Sequence, residues 1–356
     1  MKISSQFVLK TVLTILSLIA IASAETDWRK YGWQIFDNAG EGRSIAMGNV
    51  GLADVSLNSA LWNPAIVSLN SSTKISYGHQ SRFAGIIQSN FLSFPFYSKS
   101  KKPISLIILH ESVGKIPKTS NLLLDWGADG VPNTGDAGEN NGVLDEGERL
   151  NNNKISYFNQ HQIGLQLSTS IELFDYEVGI SLRSLVHTLG ENWGSGIGFD
   201  VGIIRSFWRN NYVGLTLRNL VPALMVWDSG FIELTKPQLL TGISQKIALQ
   251  KLNIEATILG DLLINISDES LNDDFNIGDN GGNFRLGTEI TYNDKINVRL
   301  GRNQYGYIAT GIGLDWNNFQ INYGYQLNSN SADLGSTHVL SFDVNPEWLK
   351  TLIKTI

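Results

Sequence analysis

The chain has 356 residues, 42% of them apolar, 17% charged and 10% aromatic, with no cysteine and a formal net charge of −6. A mean hydropathy of −0.06 excludes a polytopic helical membrane protein, whose 20-residue apolar spans would drive the index positive. The 15 Phe, 11 Tyr and 9 Trp exclude a disordered chain. Lacking cysteine, the protein has no disulfide framework, thiolate nucleophile or zinc–sulfur site. Its acidic balance argues against nucleic acid as a partner.

Residues 1–24 read as a secretory signal. Lys2 and Lys10 give a positive start, Val12 to Ile21 a mostly apolar run, and Ala22-Ser23-Ala24 a small-residue cleavage site before Glu25. The run is too short to span a bilayer comfortably. Cleavage removes two lysines, so the exported chain carries about −8.

Residues 25–72 lack alternation and are rich in small residues. Gly42, Arg43, Met47, Gly48, Ala53 and Asp54 are followed by Trp62, Asn63, Pro64 and Ala65. This pattern resembles the N-terminal signature of the PorV/PorQ family of outer-membrane proteins, which is related to the FadL-type transporters. Gly196–Gly202 and Gly214–Leu220 resemble the family's mid-barrel strands, so the likeness extends over most of the chain. Two places depart from the pattern: Gly42 directly precedes Arg43, and Ile66 stands where the family continues with Gly. The resemblance implies that residues 25–72 fold into a barrel as a hatch. It also implies a role beside the type IX secretion pathway, with secreted cargo proteins or secretion-system components as partners. Glycine suits tight turns and close backbone approach in a confined lumen. Asn63 can bond its own backbone, and Pro64 fixes a turn.

From Thr73 onward the period is 2. Phe284, Leu286, Thr288, Ile290 and Tyr292 alternate with Asn283, Arg285, Gly287, Glu289 and Thr291. One face of the strand is apolar, and the other is polar or glycine. The pattern predicts strands at about 73–80, 85–96, 103–112, 157–169, 174–187, 196–207, 211–220, 238–247, 252–262, 282–292, 296–303, 306–316, 318–327 and 337–344. Their number is even and many have bilayer-crossing length, as outer-membrane barrels require. Every second connection is short, and the long ones, 113–156, 188–195, 221–237, 263–281 and 328–336, fall on one side. The fold class expected is all-β: a transmembrane antiparallel β-barrel of about 14 strands over 73–344 with an N-terminal hatch, multi-pass in the cell outer membrane and in contact with its lipid. Trp208, Tyr212, Tyr292, Tyr305, Tyr307 and Trp316 are candidates for the interfacial aromatic girdles.

The long loop 113–156 contains two consecutive 12-mers, 125–136 and 137–148, sharing Gly-Val at places 6 and 7, Gly at 11 and an acid at 12. An EF-hand-type loop puts oxygen ligands at 1, 3, 5, 9 and 12 with Gly at 6. The first repeat offers Asp125, Asp129, Asn133 and Asp136; the second offers Glu139, Asn141, Asp145 and Glu148. Oxygen donors without His or Cys suit Ca²⁺ over zinc. The competing reading is a solvated acidic loop.

Residues 345–356 form an amphipathic tail, with Trp348, Leu349, Leu352, Ile353 and Ile356 on one helical face and Lys350 and Lys354 on the other. No catalytic residue emerges. His79, His110, His161, His187 and His338 are scattered, and no nucleophile elbow or phosphate loop is present. Gly194, Gly196 and Gly198 read as small lumen-facing strand positions. The function expected is therefore non-enzymatic: assistance to protein secretion or surface attachment, or instead FadL-like uptake of hydrophobic small molecules. The alternative predicts apolar walls near the hatch, whereas the inward residues of the strands above are mostly polar or glycine.

Overall fold

A computed structural model describes residues 26–28, 32–38, 40–70, 72–98, 102–119, 122–208, 210–266, 273–327 and 335–355. The predicted signal at 1–24 lies outside these. Fourteen strands form one closed antiparallel barrel. They are β1 (Ile75–Arg82), β2 (Ile87–Tyr97), β3 (Pro103–Lys118), β4 (Ser156–Leu173), β5 (Tyr176–Leu189), β6 (Asn192–Trp208) and β7 (Asn211–Arg218). The wall continues with β8 (Gln238–Leu249), β9 (Ile254–Asn265), β10 (Asn280–Tyr292), β11 (Ile296–Arg302), β12 (Ile308–Trp316), β13 (Phe319–Leu327) and β14 (Ser336–Val344). β14 pairs with β1 from Val344↔Ile75 to His338↔Ser81, which closes the wall.

Alternation sets which face each residue takes. Leu286, Ile290 and Tyr292 are 47–50% exposed on the outer wall, while Asn283, Arg285 and Glu289 are buried inside. The outer face thus carries an apolar band that only lipid can cover. Turns on the periplasmic side are tight. Phe174-Asp175 hold positive φ at both central residues, the twist that a two-residue hairpin demands, and Asn293 and Asp294 hold it in the three-residue connection 293–295.

Three expectations about the wall need correction. The segment 221–237, expected to be a loop, contains the short strands Ala223–Trp227 and Ile232–Thr235. The first of these resumes the pairing with β6 where β7 stops. Six residues, 218–223, stand opposite three, 198–200, so the wall carries a large bulge there. Strand β3 runs further than expected, to Lys118, and lifts the acidic loop above the rim. The connection 188–195, expected to be long, is the two-residue turn Gly190-Glu191, because β5 runs to Leu189 and β6 starts at Asn192.

A barrel of eight strands is filled by its own side chains, but fourteen leave a wide lumen. Residues 32–38 and 40–70 lie within it. They form short helical turns at Gln34–Asp37, Ser59–Leu61 and Pro64–Ser68, and an α-helix, α1 (Gly42–Ala46). Glu41 caps α1 by accepting from the Arg43 and Ser44 N–H groups. Residues 26–28 pair in parallel with 232–234 near the extracellular rim, so the chain enters the lumen from that side. The C-terminal helix α2 (Pro346–Thr355) follows β14 at the periplasmic end. There Trp348 lines a shallow cavity with Trp316 and Phe319.

Candidate functional site

The hatch motif is where chain and barrel meet most closely. Among the described residues, ten barrel strands present a lumen-facing glycine whose added β-carbon would strike the hatch within 3.0 Å. Gly324 lies against Gly42, Gly301 against Met47 and Gly48, Gly214 against Leu52, Gly202 against Asn63, and Gly179 against Pro64 and Ala65. Other strands contribute hydrogen bonds instead. Ser341 Oγ accepts from the Gly42 N–H at 3.0 Å, and Asp261 accepts from Gly51 and Leu52 at 2.8 and 3.3 Å.

Each motif residue has a definite place. Arg43 reaches Asp54 at 2.5 Å and Glu289 at 3.0 Å, and Glu289 is also held by Arg299 at 2.5 Å. Burial alone would lower the proton affinity of the Arg43 guanidinium. The two carboxylates outweigh that and hold its pKa well above the ordinary arginine value, so it stays charged. Met47 packs on Val50 and Leu259. Gly48 takes φ +72 against the Arg302 backbone, a position closed to other residues on both counts. Trp62, 1% exposed, lies between the guanidiniums of Arg218 and Arg285, at 5.7 and 4.6 Å from its ring. Asn63 Oδ1 accepts from Ala65 N–H, with Pro64 opening the turn, and Asn63 Nδ2 donates to the Leu52 and Ile203 carbonyls.

This arrangement divides the lumen. A cavity of about 520 Å³ opens on the periplasmic side, lined by Glu41, Arg43, Asp54, Lys246, Glu289 and Asp343 among others. A second, of about 300 Å³, opens on the extracellular side between Asp37, Asn49, Arg82, Glu111, Tyr305 and Tyr307. Between them the inner wall is mixed, with apolar side chains beside the buried Gln166, Arg183, Asp200, Arg218 and Arg285. Phe91, Ile107, Leu109, Leu185, Leu240 and Leu263 point inward and bury Trp33, Ile35, Phe36, Leu52, Leu61 and Trp62 of the hatch. The polar or glycine inward set expected for the strands that showed it holds, with Thr257, Asn283, Arg285, Glu289, Asn322 and Gln326 buried, and the apolar patch stands beside it. β3 is apolar on both faces over 106–109, and on β2 Phe91 stands between the inward Ser89 and Ser93, so alternation in sequence does not single out these inward apolar residues. The girdle reading of Tyr212 is corrected: it lines the periplasmic cavity and packs on the Ala65–Ile66 cluster. Tyr305 and Tyr307 line the extracellular cavity, while Trp208, Tyr292 and Trp316 are exposed on the outer surface. Gly194, Gly196 and Gly198 face the lumen, where Gly196 and Gly198 lie close to Trp33.

The acidic loop repeats its backbone turns. Gly130 and Gly142, at place 6, hold φ +66 and +76; Gly135 and Gly147, at place 11, hold +71 and +101. Its carboxylates bind backbone N–H groups. Asp125 accepts from Asn141 and Gly142, Asp136 from Asp129, Glu139 from Asn133 and Gly135, and Glu148 from Gly127 and Asp145. Asn141 Nδ2 donates to Asp145, and Asn133 is reached through its N–H alone. Among the described residues no three acidic or histidine groups gather as a metal-holding set.

No family model and no curated protein matches the chain. Solved structures do. The toluene transporter TodX of P. putida is 11% identical, with 86% of this chain and 98% of its own covered at a TM-score of 0.48. The deltaS2 mutant of the TodX monoaromatic hydrocarbon channel is 11% identical and covers 87% and 99% at 0.50. A FadL homologue of Pseudomonas aeruginosa is 9% identical and covers 85% and 97% at 0.42. The protein is an outer-membrane β-barrel. Its fold is similar to that of the TodX deltaS2 mutant, the one of these three at a TM-score of 0.50. The PorV/PorQ resemblance of residues 42–65 gains no support from these comparisons.

Proposed function

We propose that this barrel is an outer-membrane channel for uptake of small, largely apolar molecules, closed at rest by its N-terminal hatch. The observation that carries the reading is the apolar inner wall of Phe91, Ile107, Leu109, Leu185, Leu240 and Leu263, filled by the hatch rings Trp33 and Phe36. A pore for hydrophilic solutes has no need of apolar walls at mid-lumen, since each such residue would face water in the open state. Displacing two aromatic side chains exposes a site that an apolar solute of similar size fills. The solved channels of like fold are described as transporting toluene and monoaromatic hydrocarbons, which agrees with this chemistry. Secretion, which the N-terminal motif implies through its family resemblance, has no comparable observation behind it and stands second.

The test is uptake of a radiolabelled monoaromatic hydrocarbon and of a radiolabelled disaccharide by cells with and without the protein. Hydrocarbon uptake should fall on deletion and return with the wild-type chain, with disaccharide uptake unchanged. Equal hydrocarbon uptake in both strains would remove the proposal.

A further inference from the structure

The cavity on the extracellular side, about 300 Å³, carries the parts of a ligand site of its own. Two of its rings stand on one braced turn between β11 and β12. Asn303 Oδ1 accepts from the N–H groups of both Tyr305 and Tyr307 at 3.0 Å, and Asn303 Nδ2 donates to Gln326 at 3.1 Å. The Asn303 and Gly306 N–H groups close the turn on the Tyr307 and Asn303 carbonyls, with Gly306 at φ +79. The tyrosine rings are thereby set 6.1 Å apart and tilted by 42°. Phe83 in the β1–β2 turn and Ile87 at the start of β2 add apolar surface. Aromatic faces held in place before a ligand arrives cost it little ordering.

The polar lining discriminates by charge. Arg82 is paired with Glu111, and Asp37 with Arg218, so neither an anion nor a cation finds an unmatched partner among these groups. Hydrogen-bonding capacity, by contrast, is left over. Asn49 is 4% exposed, and among the described residues its Oδ1 is buried without a donor, while Arg82 Nε is buried without an acceptor. Both residues line the cavity or form its edge. Buried polar atoms in folded proteins are nearly always partnered, and a hydroxyl serves either kind because it both donates and accepts.

We infer that this cavity binds a neutral, hydroxylated aromatic ring, which lies on the tyrosines and turns its hydroxyls to Asn49 and Arg82. The volume sits at the small end of the roughly 300–1,000 Å³ of small-molecule sites, which suits a compact ring compound. The choice of a phenol over a saccharide rests on the channel reading. Beneath the cavity a solute meets the apolar patch of the inner wall, where a sugar would bury hydroxyls on every side, whereas a phenol carries them on one edge. Gln34 and Asp37 of the hatch line the same cavity, so the bound ring touches the segment whose Trp33 and Phe36 fill that patch.

The test uses the folded, purified barrel in detergent. Equilibrium dialysis against protein-free micelles reads binding of resorcinol, benzene and glucose. The wild type should bind resorcinol at least about tenfold more tightly than benzene, with no binding of glucose. Asn49→Gly removes the orphaned acceptor and suits the φ of +60 at that position. It should weaken resorcinol about fivefold and leave benzene unchanged, whereas Tyr307→Leu should weaken both rings. Both variants should keep heat-modifiable migration. Equal binding of resorcinol and benzene by the wild type, an unchanged preference in Asn49→Gly, or glucose bound as tightly as resorcinol would overturn the inference. Dialysis involves no transport, so the two readings fail separately. Resorcinol preference without deletion-sensitive uptake keeps the site and removes the channel; deletion-sensitive uptake without the preference does the reverse.

Discussion

If the hatch is seated by the glycines of the wall, adding β-carbons there should unseat it without disturbing the strands. Gly179 and Gly301 are the sharpest positions. A β-carbon on Gly179 overlaps backbone atoms of Pro64 and Ala65, and one on Gly301 overlaps backbone of Met47 and Gly48. Overpacking typically costs about 1–3 kcal/mol, and backbone cannot rotate aside as a side chain can, so about 3 kcal/mol applies to each. The two sites touch different stretches of the hatch, so their effects should add to about 6 kcal/mol, a factor of roughly 10⁴ in its seating equilibrium. The double variant Gly179→Val, Gly301→Val should migrate as a folded, heat-modifiable barrel. It should open large, steady conductance in planar bilayers and become cleavable within residues 40–70. Gly260→Ala is the control, because its β-carbon meets Leu286 on the outer face at an ordinary 3.5 Å. A folded double variant with wild-type conductance and wild-type cleavage would refute the reasoning.

Further outcomes follow from other contacts. Arg43→Met leaves the buried Asp54 without its cation, while Glu289 keeps Arg299, and should destabilise the seated hatch by about 3 kcal/mol; the loss should shrink when Asp54→Asn is added, read by urea-dependent cleavage of the hatch. Calcium binding to the loop 125–148, proposed from its 12-residue spacing, should protect the loop from protease in millimolar Ca²⁺ but not in chelator, and Asp129→Asn with Asp136→Asn should abolish the difference; equal cleavage in both buffers leaves a solvated acidic loop. Deleting residues 346–355 should leave assembly intact, because the closing ladder ends at Val344↔Ile75; loss of heat-modifiable migration would place an assembly role in that helix.

The barrel was legible because lipid on one side and hatch on the other impose opposite chemistry on alternate residues, as along Asn283–Tyr292. Strand number and loop sorting follow from that. What alternation could not show is the apolar part of the inner wall: β3 carries Ile107 and Leu109 inward and Leu106 and Ile108 outward, so over this stretch its two faces look alike in sequence. The hairpin at 223–235 was hidden by Pro222, yet the run Ala-Leu-Met-Val-Trp before Asp228-Ser229-Gly230 is a strand ending in a turn. Glycine on the polar face was visible in strand after strand, at Gly202, Gly287 and Gly324. Its reason was not, because the contact partner lies far away in sequence. The same distance hid the joining of Arg43 to Glu289, which are 246 residues apart. Motif residues 42–65 could be picked from sequence, but their partners could be found only in three dimensions.

The hatch is not held equally along its length, and on the proposed channel function this sets which part should move for a solute. From Gly42 to Ala65 its backbone is tied to the wall directly, by Gly42 to Ser341, by Gly51 and Leu52 to Asp261, and by Leu52 carbonyl to Asn63, which also bridges to Ile203. Residues 32–38 are attached through side chains: the Asp37–Arg218 pair at 2.5 Å, Gln80 to Asn38 at 3.3 Å, and the rings of Trp33 and Phe36 beneath the Arg183 guanidinium at 5.4 and 5.0 Å. Side-chain attachments can be exchanged for ligand contacts one at a time, whereas the backbone ties must break together. Residues 32–38 should therefore open while 42–65 stays seated. Hydrogen exchange on the folded barrel should show the amides of Gln34–Asn38 exchanging at least about 100-fold faster than those of Ile45, Gly51 and Leu52. An apolar aromatic solute should speed the first set further and leave the second unchanged. Matched protection in the two stretches, or a solute effect spread evenly over both, would mean that the hatch moves as one body.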